Sequence, residues 1–451
     1  MSYSKLKLIV AFVLINVSCS FSQQPPVKIY NVKDFGAKGN GIADDYSAIQ
    51  KCINEALKDQ NSRVVFPAGK YKISKGLIAH YLNNNFEMTG EIKNNEYPVI
   101  SCTALMSVLS IRGYLETQAT GTVSISNLNL QGGFGAYHYS ASNQFINTNN
   151  WFCGLSVTDK KSAKIKNVKV SDIYGQGIYI SATKQVGIPL TSRFNDVSIL
   201  NCKVINCWGY NPKADDYGDG IYIADVSSAV IKNNLVKNDF SITKQLGRCG
   251  IVLEFMAEKC TISNNNIFGY DRGIHLEADY GGHLISQNTI WGTDMGIVLF
   301  NNNEIRNYPV KIIDNIVSNN GLPKSTTLKR TRDINAISDR SLMNFVAGDN
   351  SRAGSLIEGN TFTVSGDFDY FSNSIVNIKA DNLIIRKNKY VVKQPQKLKY
   401  PILFNNYSNS IPVNDSFQGI GHLQLKKSYS GNKGKIINTN KMNSTPVEFN
   451  L

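Results

Sequence analysis

No Cys-x-x-Cys pair occurs anywhere in the 451 residues, which removes the usual grammar of a structural zinc site. Beyond residue 24 the cysteines are Cys52, Cys102, Cys153, Cys202, Cys207, Cys249 and Cys260. An odd number without a tight spacing argues against a disulfide scaffold. Long apolar runs are missing as well. The single candidate, residues 8–17, is too short to span a bilayer, so no membrane span is expected. It follows Lys5 and Lys7 and precedes the small-residue stretch Ser18-Cys19-Ser20-Phe21-Ser22. That is the order of a secretory signal peptide over residues 1–24, with cleavage near residues 22–24 and delivery to the periplasm or the exterior. A lipid anchor at Cys19 is the less favoured alternative, because Asn16 suits that signal poorly. Negative charge is also short: 34 acidic against 48 basic residues gives a net charge of +14. Such a balance favours an anionic partner, although scattered lysines also serve solubility alone.

What is abundant is repetition. Gly177-Ile178-Tyr179-Ile180 returns as Gly220-Ile221-Tyr222-Ile223, Gly250-Ile251-Val252-Leu253, Gly273-Ile274-His275-Leu276 and Gly296-Ile297-Val298-Leu299. The last three copies start at 250, 273 and 296. Asn234, Asn265, Asn288, Asn315, Asn360 and Asn388 recur in step with them. A period of this length means stacked supersecondary units, and short strands with an Asn turn read as a parallel β-helix. The asparagines are expected to form a buried ladder that satisfies turn backbone groups.

The N-terminal part has its own pattern. A strand around Val27-Lys28-Ile29-Tyr30-Asn31-Val32 leads into a Gly-rich turn. Asp44-Asp45 are placed to cap a helix whose stripe is Ile49, Cys52, Ile53, Ala56 and Leu57. Val64 to Ile73 reads as a hairpin. The run Tyr30-Asn31-Val32-Lys33-Asp34-Phe35-Gly36-Ala37-Lys38-Gly39, then Ala48-Ile49-Gln50 and Val65-Phe66-Pro67-Ala68-Gly69-Lys70-Tyr71, resembles the opening module of the pectate-lyase and polygalacturonase superfamily. The resemblance implies an all-β chain: a single-stranded, right-handed parallel β-helix with an N-terminal capping helix. The expected division is a signal peptide at 1–24, the cap at 25–75, coils over 76–392 and a basic segment at 393–451. Three loops interrupt the coils. One carries Trp151; one carries Trp208, Tyr210, Asp215 and Asp216; the third, residues 322–333, carries Lys324, Lys329, Arg330 and Arg332.

Side chains alternate along a strand and parallel coils stack at about 4.8 Å. With the repeated Ile inward, Tyr179, Tyr222, Val252, His275 and Val298 form one outward column. Ser181, Ala224, Glu254, Glu277 and Phe300 form the other. Glu254 and Glu277 are thereby stacked on neighbouring coils. At about 5 Å and an effective dielectric near 20 their repulsion is about 3 kcal/mol. A shared proton, a cation, or Arg248 and Arg272 would relieve it. Exposed, salt-bridged strand residues are the bland alternative, but an acid beside a carboxylate is also what glycoside hydrolysis requires.

The candidate catalytic residues are therefore Glu277 as acid, Asp279 or Glu254 as base or nucleophile, and His275. Arg248, Arg272, Tyr222, Trp208, Tyr210 and Trp151 are candidates for substrate binding. The Glu277-Ala278-Asp279 spacing is similar to the Glu-x-Asp pair of iota-carrageenases, which implies inversion on a sulfated galactan. The polygalacturonase set of Asn-Thr-Asp, Asp-Asp and Gly-His-Gly is not matched. The reading is a secreted hydrolase of an anionic polysaccharide, sulfated galactan or pectin-like, needing no cofactor and having no nucleic-acid partner. A lyase or C5-epimerase acting on a uronate polymer is the rival, with calcium held by Asp215, Asp216, Asp219 and Asp225. A non-catalytic glycan-binding surface protein is the third possibility.

Overall fold

A computed structural model describes residues 26–82, 84–113, 121–133, 151–182, 193–209, 218–239, 246–301, 306–322, 341–347, 351–365 and 374–393, with short stretches between 400 and 446. Within these, strands stack in parallel, coil on coil, into a right-handed parallel β-helix. Each coil contributes a strand to three successive faces. On the first face Ser162–Lys166 pairs with Thr122–Ser126 and Asp196–Leu200. On the second, Lys203–Trp208 lies between Lys169–Ser181 and Leu235–Lys237. The third face holds the repeated phrase: Ile221–Ala224, Gly247–Glu254, Tyr270–Glu277 and Met295–Asn301 run side by side. No helix among the described residues is long and apolar enough to cross a membrane.

The inward halves of the strands make one apolar core from Tyr30 to Val392, with Ile178, Ile221, Ile251, Ile274 and Ile297 in file and fully buried. The glycine that precedes each of these isoleucines is required by close approach. A Cβ on Gly250 would sit 2.5 Å from Ile267 Cγ2 and 2.6 Å from the Gly273 carbonyl oxygen. Gly273 meets Ile290 and the Gly296 carbonyl in the same way, at 2.4 and 2.5 Å. The phrase thus marks where the second face's side chains crowd the bend into the third.

The Asn ladder is present as expected. Asn234 Nδ2 donates to Asn265 Oδ1, Asn265 to Asn288 and Asn288 to Asn315, each at 2.9 Å. The series continues through Asn360 and Asn388 to Asp415. Each rung also accepts from the backbone N–H of the preceding one, which closes otherwise unpaired buried groups. The residue just before each Asn takes the left-handed conformation that turns the corner, as at Asn233 and Asn264.

Three expectations change. Val64 to Ile73 is no hairpin, because Asn61–Phe66 belongs to the first face and Lys70–Ile73 to the second, both pairing in parallel. The helix Tyr46–Ala56 buries Ile49, Cys52, Ile53 and Ala56 as predicted, but Asp45 makes no side-chain cap. Its carboxylate instead accepts from the Lys38 and Gly39 N–H groups, at 2.6 and 3.0 Å, and ties the preceding loop. Asp44 does bond the N–H of Tyr46, and also Ser74. Finally, coils continue past residue 392: Lys389–Val392 pairs with Ser416–Gln418. All seven described cysteines are buried, and none is in a disulfide.

Candidate active site

The expected register is realised. Tyr179 lies opposite Tyr222, Tyr222 opposite Val252, and Val252 opposite His275. Ala224, Glu254, Glu277 and Phe300 follow in the second column. Outward does not mean solvated here. Tyr222, Val252, His275 and Val298 are buried, and Tyr222, Ala224, Cys249 and Val252 form a second apolar cluster outside the main core. The carboxylates therefore stand in a partly apolar setting, where the cost of ionisation is set by burial more than by mutual repulsion.

Donor atoms of Glu254, His275 and Glu277 converge within 4.8 Å of one another. His275 Nε2 is 2.8 Å from Glu277 Oε2 and 3.9 Å from Glu254 Oε1. Burial lowers the His275 pKa, and the hydrogen bond from His275 lowers that of Glu277. The two shifts agree on a neutral imidazole donating its Nε2–H to an ionised Glu277. Glu277 keeps its side chain 38% exposed. Glu254 behaves in the opposite way. Burial pushes it up to about 7, against Arg248 and the Tyr222 hydroxyl, which pull it down. Tyr222 donates to Glu254 Oε2 at 2.9 Å. Arg248 reaches Glu254 Oε1 at 3.5 Å and Asp219 Oδ2 at 2.9 Å. Two acids on adjacent coils thus differ in protonation near neutrality. From the rim, Trp151, 38% exposed, packs on Tyr179 at 5.3 Å, and Tyr179 stacks on Tyr222 at 5.0 Å.

Other expected members stand elsewhere. Asp279 is fully buried, 2.6 Å from Arg352 Nη2 and 2.8 Å from His283 Nε2. Burial opposes its ionisation, yet His283, Arg352 and the Gly281 N–H together hold its carboxyl below the usual range. Ala278 adopts φ 52°, so the strand alternation ends at Glu277 and Asp279 turns into a corner, leaving the Glu-x-Asp pairing unformed. Arg272 is buried beside Asp271 and Cys249. Trp208 is buried against Tyr174 and offers no sugar platform.

Of the proposed calcium set only Asp219 and Asp225 lie among the described residues. Asp219 and Asp225 flank opposite ends of Ile221–Ala224, about 15–20 Å apart along extended chain, and Asp219 is paired with Arg248. Tyr210, Asp215 and Asp216 lie outside the described residues, as do Lys324, Lys329, Arg330 and Arg332. The donors that do converge, two carboxylates and an imidazole, suit a transition ion better than calcium, which prefers oxygen alone. Arg352 and His283 were not singled out by sequence. Arg352 lies 73 residues from its partner, and no local spacing announces it.

The chain belongs to the rhamnogalacturonase A/epimerase, pectate lyase-like family, whose sequence profile matches residues 29–298. Its relatives include the uncharacterized protein YclG of Bacillus subtilis, 27% identical over 281 residues, which are 54% of this chain and 47% of YclG. A mannuronan C5-epimerase of Azotobacter vinelandii, AlgE5, is 51% identical over 47 residues, 10% of this chain and 5% of the epimerase. A glucan 1,3-beta-glucosidase of Cochliobolus carbonum is 27% identical over 191 residues, 36% of this chain and 22% of that protein. The chain spans less than half the length of these curated relatives. Among solved structures, the A-module of Azotobacter vinelandii epimerase AlgE6 superposes with a TM-score of 0.60 at 16% identity, covering 92% of this chain and 98% of the module. The Streptococcus pneumoniae surface adhesin PfbA gives 0.55 at 14% identity, covering 88% and 99%. These two share the fold.

Proposed function

We propose that this protein is a secreted glycoside hydrolase that cleaves an anionic polysaccharide with retention, using Glu254 as acid and base and Glu277 as nucleophile. The observation that carries the reading is the split ionisation of two carboxyls stacked on neighbouring coils, Glu254 near 7 and Glu277 below its ordinary value. Paired carboxyls pushed apart in this way divide acid and nucleophile roles. The roles are the reverse of those expected from sequence, and Asp279 takes neither. One oxygen of each carboxyl lies within 4.8 Å of the other, and this proximity is the reason for proposing retention, whose carboxyls stand about 5–5.5 Å apart, over inversion at roughly 6.5–9.5 Å.

In the first step the Glu254 carboxyl gives its proton to the glycosidic oxygen while a Glu277 oxygen attacks the anomeric carbon. The C–O bond to the leaving sugar breaks and a glycosyl ester forms. Water then loses a proton to Glu254 and displaces Glu277. His275 keeps the nucleophile oriented through Nε2–H, and Trp151 with Tyr179 offers a stacking surface for a sugar ring. A uronate lyase needs a cation directed at the substrate carboxylate. Arg248 is engaged by Asp219 and Glu254 instead, and Arg272 is buried, which favours hydrolysis.

The test is incubation with pectin, alginate, carrageenan and β-1,3-glucan. New reducing ends without the ultraviolet absorbance of an unsaturated uronate are expected. Glu277→Gly should be inactive and regain turnover with azide, giving a glycosyl azide of inverted configuration, because azide then replaces the missing nucleophile in a single displacement. Appearance of the unsaturated product, or no product from any polymer, would overturn the proposal.

A further inference from the structure

Far from the carboxylate cluster, at the corner between the first and second faces, an open groove of about 450 Å³ runs across the coils. Its floor is one continuous register row. Lys70 pairs with Val99, Val99 with Asn129, Asn129 with Lys169, and Lys169 with Lys203. Five coils at about 4.8 Å make a track of roughly 19 Å. Lys70, Lys169 and Lys203 are all exposed, and their ammonium groups make no ion pair among the described residues. Glu96 is the one acid in the lining, with Tyr97 beside it.

Lys169 and Lys203 are directly opposite on adjacent strands, an arrangement that costs stability unless a counter-charge relieves it. On the first face this chain relieves such charges internally: Arg63 pairs with Glu87 at 2.8 Å, Lys164 with Asp196 at 3.6 Å and Arg386 with Glu358 at 2.9 Å. The second-face row is left positive. We propose that it is a second, non-catalytic binding track for an acidic polysaccharide, the lysines meeting carboxylate or sulfate groups and Asn129, Asn167 and Asn201 meeting hydroxyls. The one half-buried ring, Tyr97, is unlike the succession of exposed rings on which single-stranded nucleic acid stacks. The track lies on a different side of the helix from Glu277 and acts whether or not Glu277 cleaves a glycan.

Affinity electrophoresis in gels containing alginate, polygalacturonate or ι-carrageenan tests the proposal, with a neutral β-1,3-glucan gel and a DNA duplex as further probes. Lys169→Glu/Lys203→Glu should weaken binding to at least one acidic polymer by about tenfold or more, and Lys169→Gln/Lys203→Gln by less. Added salt should weaken wild-type binding. Lys232→Glu/Lys311→Glu makes the same charge change on the first face and should leave binding intact. The polymer that responds distinguishes uronate from sulfate recognition. Equal losses in the two charge-reversal pairs, undiminished binding by the Lys169/Lys203 variants, or tighter retention by DNA than by any acidic glycan would overturn it.

Discussion

Tyr222 donates its hydroxyl proton to Glu254 Oε2 at 2.9 Å across a coil boundary, although its register partner is Val252. The bond runs diagonally, so the acid of one coil is held by a residue of the neighbouring column on the preceding coil. It stabilises the ionised form of Glu254 against burial, as Arg248 does.

Removing that donor should make Glu254 a weaker acid. In Tyr222→Phe the basic limb of the kcat/KM profile, set by a group near 7, is expected to move upward. The rate below the limb should fall about tenfold or less, since one hydrogen bond to a group that is neutral there is lost. A pH–rate profile checks this, and an unmoved basic limb would remove Glu254 from the acid role.

His275 should control the other limb. Its hydrogen bond is the main cause of the depressed Glu277 pKa, so His275→Ala is expected to raise the acidic limb towards the ordinary glutamate range. His275→Gln retains an amide donor and should restore part of the depression. Both variants leave a change in a buried position, so kcat/KM is compared only where circular dichroism shows the native fold. Identical acidic limbs in wild type and His275→Ala would exclude the coupling.

The fold was legible because its causes are local and repeated. Gly250 and Gly273 are fixed by backbone crowding, Asn265 and Asn288 by turn carbonyls, and each recurs at the coil period. Stacking Glu254 on Glu277 followed from the same period. The protonation order did not, because it depends on how deeply each carboxyl is covered and on Tyr222 and Arg248, none of which a strand pattern encodes. Asp279 leaves the outward column for a single backbone reason, the left-handed Ala278. Trp208 failed because an aromatic in a loop-bearing coil can pack inward as readily as it faces solvent.

Asp279 should prove structural. Asp279→Asn would leave the guanidinium of Arg352, now 2.6 Å from the carboxylate, buried without its counter-charge. Loss of one partner of such a pair costs about 3–5 kcal/mol. A marked fall in melting temperature is expected, with kcat of the remaining folded protein close to wild type. If activity instead vanished at unchanged melting temperature, Asp279 would belong to the reaction.

Glu254 should make stability decline as pH rises towards neutrality, against His275, whose lowered pKa acts with the opposite sign below its ordinary 6.5. Glu254 has an ordinary value of 4.5 and a folded value of about 7. Below 4.5 it is protonated in both states. Between 4.5 and 7 the unfolded chain ionises while the folded one retains the proton, so the folded state binds more protons and stability falls across that window. The total is about 3 kcal/mol for a shift of this size. Asp225 and Asp415, both pushed up to about 7 by burial, act with the same sign. Glu277 and Asp279 have lowered values; their contribution is present above the ordinary carboxylate range and lost only in more acid solution, so they leave the window flat. Glu254→Gln removes the ionisation and should narrow the difference in denaturant midpoint between pH 5 and pH 8. An identical pH slope in that variant would mean that Glu254 is charged throughout the window, and it could not then hold the proton that hydrolysis requires.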